Sequence, residues 1–151
     1  MKALAMLAAL LPATAAAQDV APPVRTMIAT KGECTGLVVN SAPAACGDVA
    51  LNMVYRDGQT SIMIKTGDGN LVSFYGTLDG KGGIAVTKVT MSRSGETPSV
   101  RSTPATGYCT AETLRKPRTH IECTADAPDG RRFAASFTGT EDEVTVSDMD
   151  R

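Results

Sequence analysis

Apolar and polar residues alternate along much of this chain, and this period of two is the feature that most constrains its fold. The clearest runs cover residues 49–56, 61–65, 71–78 and 132–138. Alternation places each set of side chains on one face of a strand, and we expect the more apolar set to face the core. No window of ten residues after residue 17 carries the apolar stripe of a helix, so the pattern predicts an all-β protein.

Asp-Gly pairs separate these runs, at Asp57-Gly58, Asp68-Gly69, Asp79-Gly80 and Asp129-Gly130. Such pairs supply the positive φ angles of tight hairpin turns. We therefore expect an antiparallel meander over about 49–92 and a second hairpin set over about 107–139, with a short last strand at 144–147. Residues 94–106 are rich in Ser, Thr and Pro and are expected to form a looser stretch.

The alternation changes phase inside one run. Ile84 and Val86 share one phase, whereas Val89 and Met91 have the other. This change predicts a β-bulge near Thr87-Lys88, or a strand that is partly buried on both faces. The fold class expected from these patterns is an antiparallel sandwich or a small barrel of eight to ten short strands, and the sequence does not separate the two.

The first residues have the pattern of a cleaved signal peptide. Lys2 precedes an uncharged apolar run at 3–11, and the small residues at 15–17 provide an A-x-A site before Gln18. The run is shorter than the roughly 20 apolar residues of a membrane-spanning helix. We expect residues 1–17 to be a cleaved signal peptide and the protein to be periplasmic or secreted, without a membrane span.

The remaining chain is expected to form a single domain. Residues 18–31 are interpreted as an extended lead-in, with an edge strand at 25–29, and residues 32–151 as a single β domain. Without Lys2, 14 basic and 16 acidic side chains remain, a formal charge of −2. Because nucleic-acid binding depends on clustered Lys and Arg, this balance argues against a nucleic-acid partner.

Four cysteines follow the apolar amino-terminal run: Cys34, Cys46, Cys109 and Cys123. An even number in an exported chain is typical of disulfides. Cys34–Cys46 and Cys109–Cys123 are the expected pairs, because each closes a short local loop. No C-x-x-C pair is present, so zinc is not expected, and we expect no metal site.

Catalytic motifs are missing from the sequence. His120 is the sole histidine, and no G-x-S-x-G, S-x-x-K or H-E-x-x-H string occurs. We therefore expect no catalytic residue, no cofactor and no enzymatic activity. An enzyme that uses carboxylates alone, such as Asp57, Asp79 or Glu96, is the remaining catalytic alternative.

A basic cluster is the candidate binding site. Arg115, Lys116, Arg118 and His120 lie in the loop bounded by Cys109 and Cys123, and Arg131 and Arg132 open the next strand. If these residues meet at one end of the domain, they would form a basic edge for an anionic polymer, a phosphorylated headgroup or an acidic protein surface. The alternative is a solvated loop that only keeps the protein soluble.

The sequence also resembles a group of bacterial proteins. The G-x-C-T strings at 32–35 and 107–110, the paired cysteines and the D-G-R-R-F-A-A-S-F hairpin at 129–137 look like those of small uncharacterised exported proteins of Gram-negative bacteria. This resemblance implies residence in the periplasm and no known activity.

The expected function is therefore a non-enzymatic periplasmic binding or interaction domain of unknown ligand. The alternative is a periplasmic inhibitor of a hydrolase such as lysozyme or a protease. That inhibitor would insert the Cys109–Cys123 loop or the 94–106 loop into its target.

Overall fold

The computed structural model describes residues 23–93, 99–111 and 119–148, with backbone alone for 99, 111 and 141–148. These residues form nine strands: β1 (Val24–Val39), β2 (Ala42–Pro43), β3 (Cys46–Tyr55), β4 (Gln59–Thr66), β5 (Leu71–Leu78), β6 (Gly83–Arg93), β7 (Ser99–Ala111), β8 (His120–Asp126) and β9 (Arg132–Asp148).

The strands close into an antiparallel barrel. From β3 to β9 each strand pairs with the next, β3 also pairs with β1, and β9 returns to pair with β1. Strand β2 lies outside this ring of eight and pairs only with the end of β1. The all-β prediction is confirmed, and the choice between sandwich and barrel is settled in favour of a barrel.

The barrel has an upper end and a lower end, which differ in the connections that they carry. The upper end carries the connections around β2 and the connections β4–β5, β6–β7 and β8–β9. The lower end carries β3–β4, β5–β6 and β7–β8. Successive antiparallel strands fix this arrangement, because each hairpin connection lies at the end opposite to the one before it.

The inward faces follow the predicted alternation in three of the four runs. Ile62 and Ile64 of β4 and Phe74 of β5 are completely buried in one apolar core. Phe133 and Phe137 of β9 are buried in the same core, at 1% and 0% exposure. These large side chains fill the interior, so the barrel is packed rather than hollow.

Strand β3 contradicts the prediction. Its more apolar set includes Leu51, Met53 and Tyr55, but Ala50 from the other set lies in the core, at 1% exposure. The facing strands already supply large side chains, so a small residue fits inside. Tyr55 is nevertheless 97% buried, because it packs on the outer face of the barrel against Tyr75.

The predicted bulge in β6 is present. Tyr75 is opposite Lys88, whereas its neighbour Gly76 is opposite Val86, so Thr87 is the extra residue. The bulge shifts the alternation by one residue, and Ile84, Val86 and Val89 are all buried at 3% exposure or less.

Two segments expected to be irregular are strands. Residues 24–31 are not a lead-in with an edge strand, because β1 pairs there with both β3 and β9. Residues 99–106 belong to β7 and are paired with β6 or β8, and Pro104 lies at the bulge, where a missing N–H is tolerated. The short strand expected at 144–147 is the end of the longer β9.

Both expected disulfides are present. Cys34–Cys46 joins β1 to the start of β3, and Cys109–Cys123 joins facing residues of β7 and β8. Both cysteines of the second bridge are completely buried in the core. The cysteines are therefore structural.

Candidate functional site

The predicted basic edge does not form among its described members. His120 begins β8 at the lower end, whereas Arg131 and Arg132 follow the β8–β9 turn at the upper end. At about 3.3 Å per residue, the seven-residue β8 separates them by roughly 20 Å. Arg115, Lys116 and Arg118 lie outside the described residues. The described members therefore do not share one end, because the first residue of β8 and the turn that follows β8 lie at opposite ends of this strand. The placement of the other three basic residues stays a prediction.

The described basic residues also have local partners. Arg131 Nε donates to Asp129 Oδ2 at 2.7 Å, and Arg132 Nε lies 3.9 Å from Asp126 Oδ1. His120 Nε2 lies 3.0 Å from Glu122 Oε1. Hydrogen bonds donated by Arg131, first by its backbone amide and then by its guanidinium, hold the pKa of Asp129 below its ordinary value.

The two arginines that follow the β8–β9 turn contact the β1–β2 turn. Arg131 Nη1 donates to Asn40 Oδ1 at 3.2 Å. The Arg132 backbone amide donates to Ser41 Oγ at 2.9 Å, and the Ser41 backbone amide donates to the Arg132 carbonyl at 2.8 Å. Asn40 and Ser41 form the β1–β2 turn and both have positive φ, of 52° and 66°, as a tight type I′ turn requires. These contacts fix the β1–β2 hairpin over the upper end of the barrel.

A polar row runs along the outer face of β8 and β9. His120 Nδ1 lies 3.2 Å from Thr138 Oγ1, while Glu122 Oε1 accepts from Ser136 Oγ at 2.5 Å. Hydroxyl, imidazole and carboxylate thus occur in sequence, with His120 and Glu122 about half exposed.

Two of the three carboxylates named as the catalytic alternative are described, and neither lines the cleft at the upper end of the barrel. Asp57 and Asp79 belong to two different turns at the lower end, where each accepts hydrogen bonds from the backbone of its own turn. Asp79 also accepts a hydrogen bond from the Tyr108 hydroxyl, and this bond is the main cause of its lowered pKa. These carboxylates therefore stabilise turns, and Glu96 lies outside the described residues.

A cleft of about 450 Å³ opens at the upper end of the barrel. Its walls are the β1–β2 hairpin with the two residues that follow it, the β4–β5 turn and the adjoining ends of β5, β6 and β7. Ligand pockets commonly measure about 300–1,000 Å³, so this cleft has the size of a small-molecule site. It was not predicted from the sequence, because it is formed by segments far apart in the chain.

The floor of the cleft is apolar. It consists of Val39, Ala44, Val72 and Met91, all of which belong to the buried core or pack against it. Phe74 lies beneath the floor and is completely buried. The cleft is therefore a shallow bowl at the mouth of a filled barrel.

The rim of the cleft is polar and consists of Thr66, Asp68, Asn70, Arg93 and Arg101. Thr66 Oγ1 and the side-chain amide of Asn70 both donate to the Asp68 carboxylate, the latter at 2.8 Å. These donors, Thr66 first, hold the pKa of Asp68 below its ordinary value although it is exposed. Asp68 therefore remains a carboxylate at neutral pH and serves its own turn.

Arg93 and Arg101 line the cleft at the mouth of the barrel, and both residues are exposed. Met91 lies directly opposite Arg101, and Arg93 is two residues beyond Met91 in β6. Because Met91 packs against the core, alternation places both arginines on the same inward face. Neither guanidinium has a hydrogen-bond or ion-pair partner among the residues that the structure describes.

The sequence contained one signal for these arginines. After the bulge at Thr87, residues 89, 91 and 93 alternate in the same phase. Because Val89 and Met91 point inward, the same alternation places Arg93 on the inward face. Arg101 could not be found in the same way, because its segment was expected to be a loose stretch rather than β7.

The fold and site together define a closed antiparallel barrel with a mixed apolar and cationic cleft at its mouth. Comparisons with protein-family models, with curated proteins and with solved structures found no match. No group of three or more His, Cys, Asp or Glu side chains in the described part of the chain is placed to hold a metal ion. Over the same residues, no helix has the length and apolar character needed to cross a membrane.

Proposed function

We propose that this protein is an exported binding protein that holds a small ligand in the cleft at the mouth of its barrel and carries out no reaction of its own. The cleft itself carries the proposal. It combines a pocket-sized volume, an apolar floor and a polar rim, the combination typical of ligand sites in the mouths of β-barrels.

The walls of the cleft are braced, which favours binding without rearrangement. Cys34–Cys46 ties β1 to β3 below the β1–β2 hairpin, and the Gly67 amide donates to the Ala45 carbonyl at 2.8 Å. The contacts of Arg131 and Arg132 with Asn40 and Ser41 add a second brace. A site that is already formed loses less entropy when its ligand binds.

The described rim favours binding over acid–base chemistry. Its carboxyl group, Asp68, has a lowered pKa and is occupied by Thr66 and Asn70, so it is a poor proton donor at neutral pH. Arginine remains protonated and also does not exchange protons near neutrality. These groups are suited to orienting a ligand.

The inhibitor alternative receives less support. Its 94–106 loop is strand β7 from Ser99 onward, where hydrogen bonding to the neighbouring strands leaves little freedom to insert into a target. The Cys109–Cys123 bridge is buried inside the barrel, where it joins β7 to β8.

Filling the cleft tests the proposal. Ala44→Trp places a large side chain on the floor and should abolish retention of low-molecular-weight solutes from a periplasmic extract, measured by native mass spectrometry. Ala85→Trp is the matched control, because Ala85 is exposed on β6 away from the cleft. If both variants retain the same solutes as the unchanged protein, the cleft is not the binding site.

Export is tested separately by processing. The paired cysteines support an oxidising compartment such as the periplasm. When the full chain is expressed in a Gram-negative host, we expect the protein in the periplasmic fraction to begin at Gln18, as measured by intact mass. Soluble protein that retains Met1 would contradict export through this signal.

A further inference from the structure

From the arrangement of Arg93 and Arg101 above the apolar floor, we infer that the ligand is a small anionic amphiphile with a carboxylate or phosphate head and a short apolar tail. This inference rests on the proposed function and names the ligand class of the same cleft. The sequence predicted an anionic partner for the basic edge. This inference instead places an anion at Arg93 and Arg101, which the sequence analysis did not select.

The head group is assigned by the two guanidinium groups. Arg101 faces Met91 across the β6–β7 ladder, and Arg93 is its diagonal neighbour on the same face. Diagonal neighbours in an antiparallel sheet have Cβ atoms within about 7–8 Å, so two long arginine side chains can reach one anion. Guanidinium groups form paired hydrogen bonds with carboxylate and phosphate oxygens, which makes these the matching head groups.

The charge of the rim supports the same assignment. The two arginines have no acidic partner among the described residues, whereas Asp68 is already held by Thr66 and Asn70. The described rim therefore carries a net charge of one positive unit, the sum of two arginines and one carboxylate that is hydrogen-bonded to neutral donors. An anion would relieve the repulsion between the guanidinium groups, while a cationic ligand would increase it.

The tail is assigned by the floor. Val39, Ala44, Val72 and Met91 offer an apolar surface, and the flexible thioether of Met91 can adapt to different chains. The buried Phe74 below the floor stops a long chain from entering the barrel. The cleft of about 450 Å³ lies in the lower half of the usual size range of ligand pockets, about 300–1,000 Å³, so the tail is short.

The test uses three probes with eight carbon atoms each: octanoate, mono-octyl phosphate and the neutral 1-octanol. Dissociation constants are measured by calorimetry or by NMR titration of the oxidised full-chain protein. We expect both anions to bind at least tenfold more tightly than 1-octanol, because charge-assisted hydrogen bonds add to the apolar contact. Comparing octanoate with mono-octyl phosphate shows which anionic head the two guanidinium groups prefer.

Charge-removing variants identify the residues. Arg93→Gln combined with Arg101→Gln should reduce the affinity for both anions to that for 1-octanol, and should leave the affinity for 1-octanol unchanged. Arg56→Gln is the control, because it removes one arginine charge from the β3–β4 turn at the opposite end of the barrel. It should change the affinity for either anion by less than about twofold, since exposed charges at that distance are screened.

The outcomes separate this inference from the proposed function. Equal binding of 1-octanol and the anions, or unchanged anion binding in the double arginine variant, would overturn the ligand class. If retention of another solute is then still lost in Ala44→Trp, the binding function stands and the inference alone fails. Anion binding that survives Ala44→Trp would also overturn the inference, because the anion would then bind outside the cleft.

Discussion

Tyr55 shows how a single residue can be buried on the outside of a barrel. Its ring stacks on Tyr75, with the ring centroids 5.6 Å apart. Its hydroxyl lies 2.8 Å from the Tyr75 hydroxyl and 3.2 Å from Ser61 Oγ. Lys88 Nζ lies 5.1 Å from the centroid of the Tyr75 ring, within the range of a cation–π contact. These contacts form a small polar-aromatic cluster that covers the outer face of β3, β4 and β5.

Tyr75 gives this cluster a dependence on alkaline pH. Burial, and then the hydrogen bond with Tyr55, raises the pKa of Tyr75 above its ordinary value. The unfolded chain loses the phenolic proton near pH 10, whereas the folded protein keeps it to higher pH. The stabilisation from this group is therefore complete below about pH 10 and is lost as pH rises further.

A Tyr75→Phe variant tests this dependence. At pH 7 the variant should be less stable than the unchanged protein by about 1 kcal/mol of unfolding free energy, because one hydrogen bond is lost. When the pH rises from 9 to about 11, the unfolding free energy of the variant should fall by less than that of the unchanged protein. Urea unfolding of both proteins at pH 7, at pH 9 and at about pH 11 measures these free energies. Tyr108→Phe is the comparison, because Tyr108 is exposed and its pKa is raised mainly by Asp79. An alkaline loss in Tyr75→Phe as large as in the unchanged protein would show that Tyr75 does not carry the effect.

At the scale of strands, the sequence predicts those elements whose two faces differ strongly. In β4, β5 and β9 large apolar residues alternate with polar or small ones, so the inward face could be assigned from the sequence. In β6 the change of phase located the bulge at Thr87. Hydrophobic alternation specifies the register of a strand well when only one face of the strand is buried. For this reason the predicted inward faces and the predicted bulge were correct.

The incorrect predictions concern strands whose surroundings come from distant parts of the chain. Strand β3 turns its smaller set inward because β4 and β5 fill the interior and Tyr75 covers Tyr55 outside. Strand β7 has a polar and Pro-containing start, but pairing with β6 and a bulge near Pro104 keep it in the sheet. These contacts override the local propensity of the residues.

The candidate site was missed for a related reason. The floor and rim of the cleft combine residues from β1, β5, β6 and β7 with others from two connecting segments. Only the phase of Arg93 is visible in the sequence. The cleft depends on barrel closure, and closure depends on the pairing of β1 with β9, between residues such as Thr26 and Asp148 that are far apart in the chain.

At the scale of the whole molecule, the two disulfides have different positions and should have different effects. Cys34–Cys46 lies beside the β1–β2 hairpin and packs at the margin of the core. Cys109–Cys123 lies in the core, with both cysteines completely buried. Their sequence separations, 12 and 14 residues, are similar. Each should therefore restrict the unfolded chain by about 3 kcal/mol, so any difference must come from the folded state.

Paired Cys→Ala substitutions should reveal that difference. Losing Cys109–Cys123 should cost more unfolding free energy than losing Cys34–Cys46, because it also leaves space in the close-packed core. Losing Cys34–Cys46 should instead speed amide hydrogen exchange at residues 37–45, since the hairpin then opens locally without unfolding the barrel. Urea unfolding and residue-resolved hydrogen exchange measure the two effects on the same samples. Equal stability losses, together with unchanged exchange in the hairpin, would mean that the first bridge does not brace the cleft. Faster exchange confined to residues 37–45 would show that the wall of the cleft can be loosened separately from the barrel that carries it.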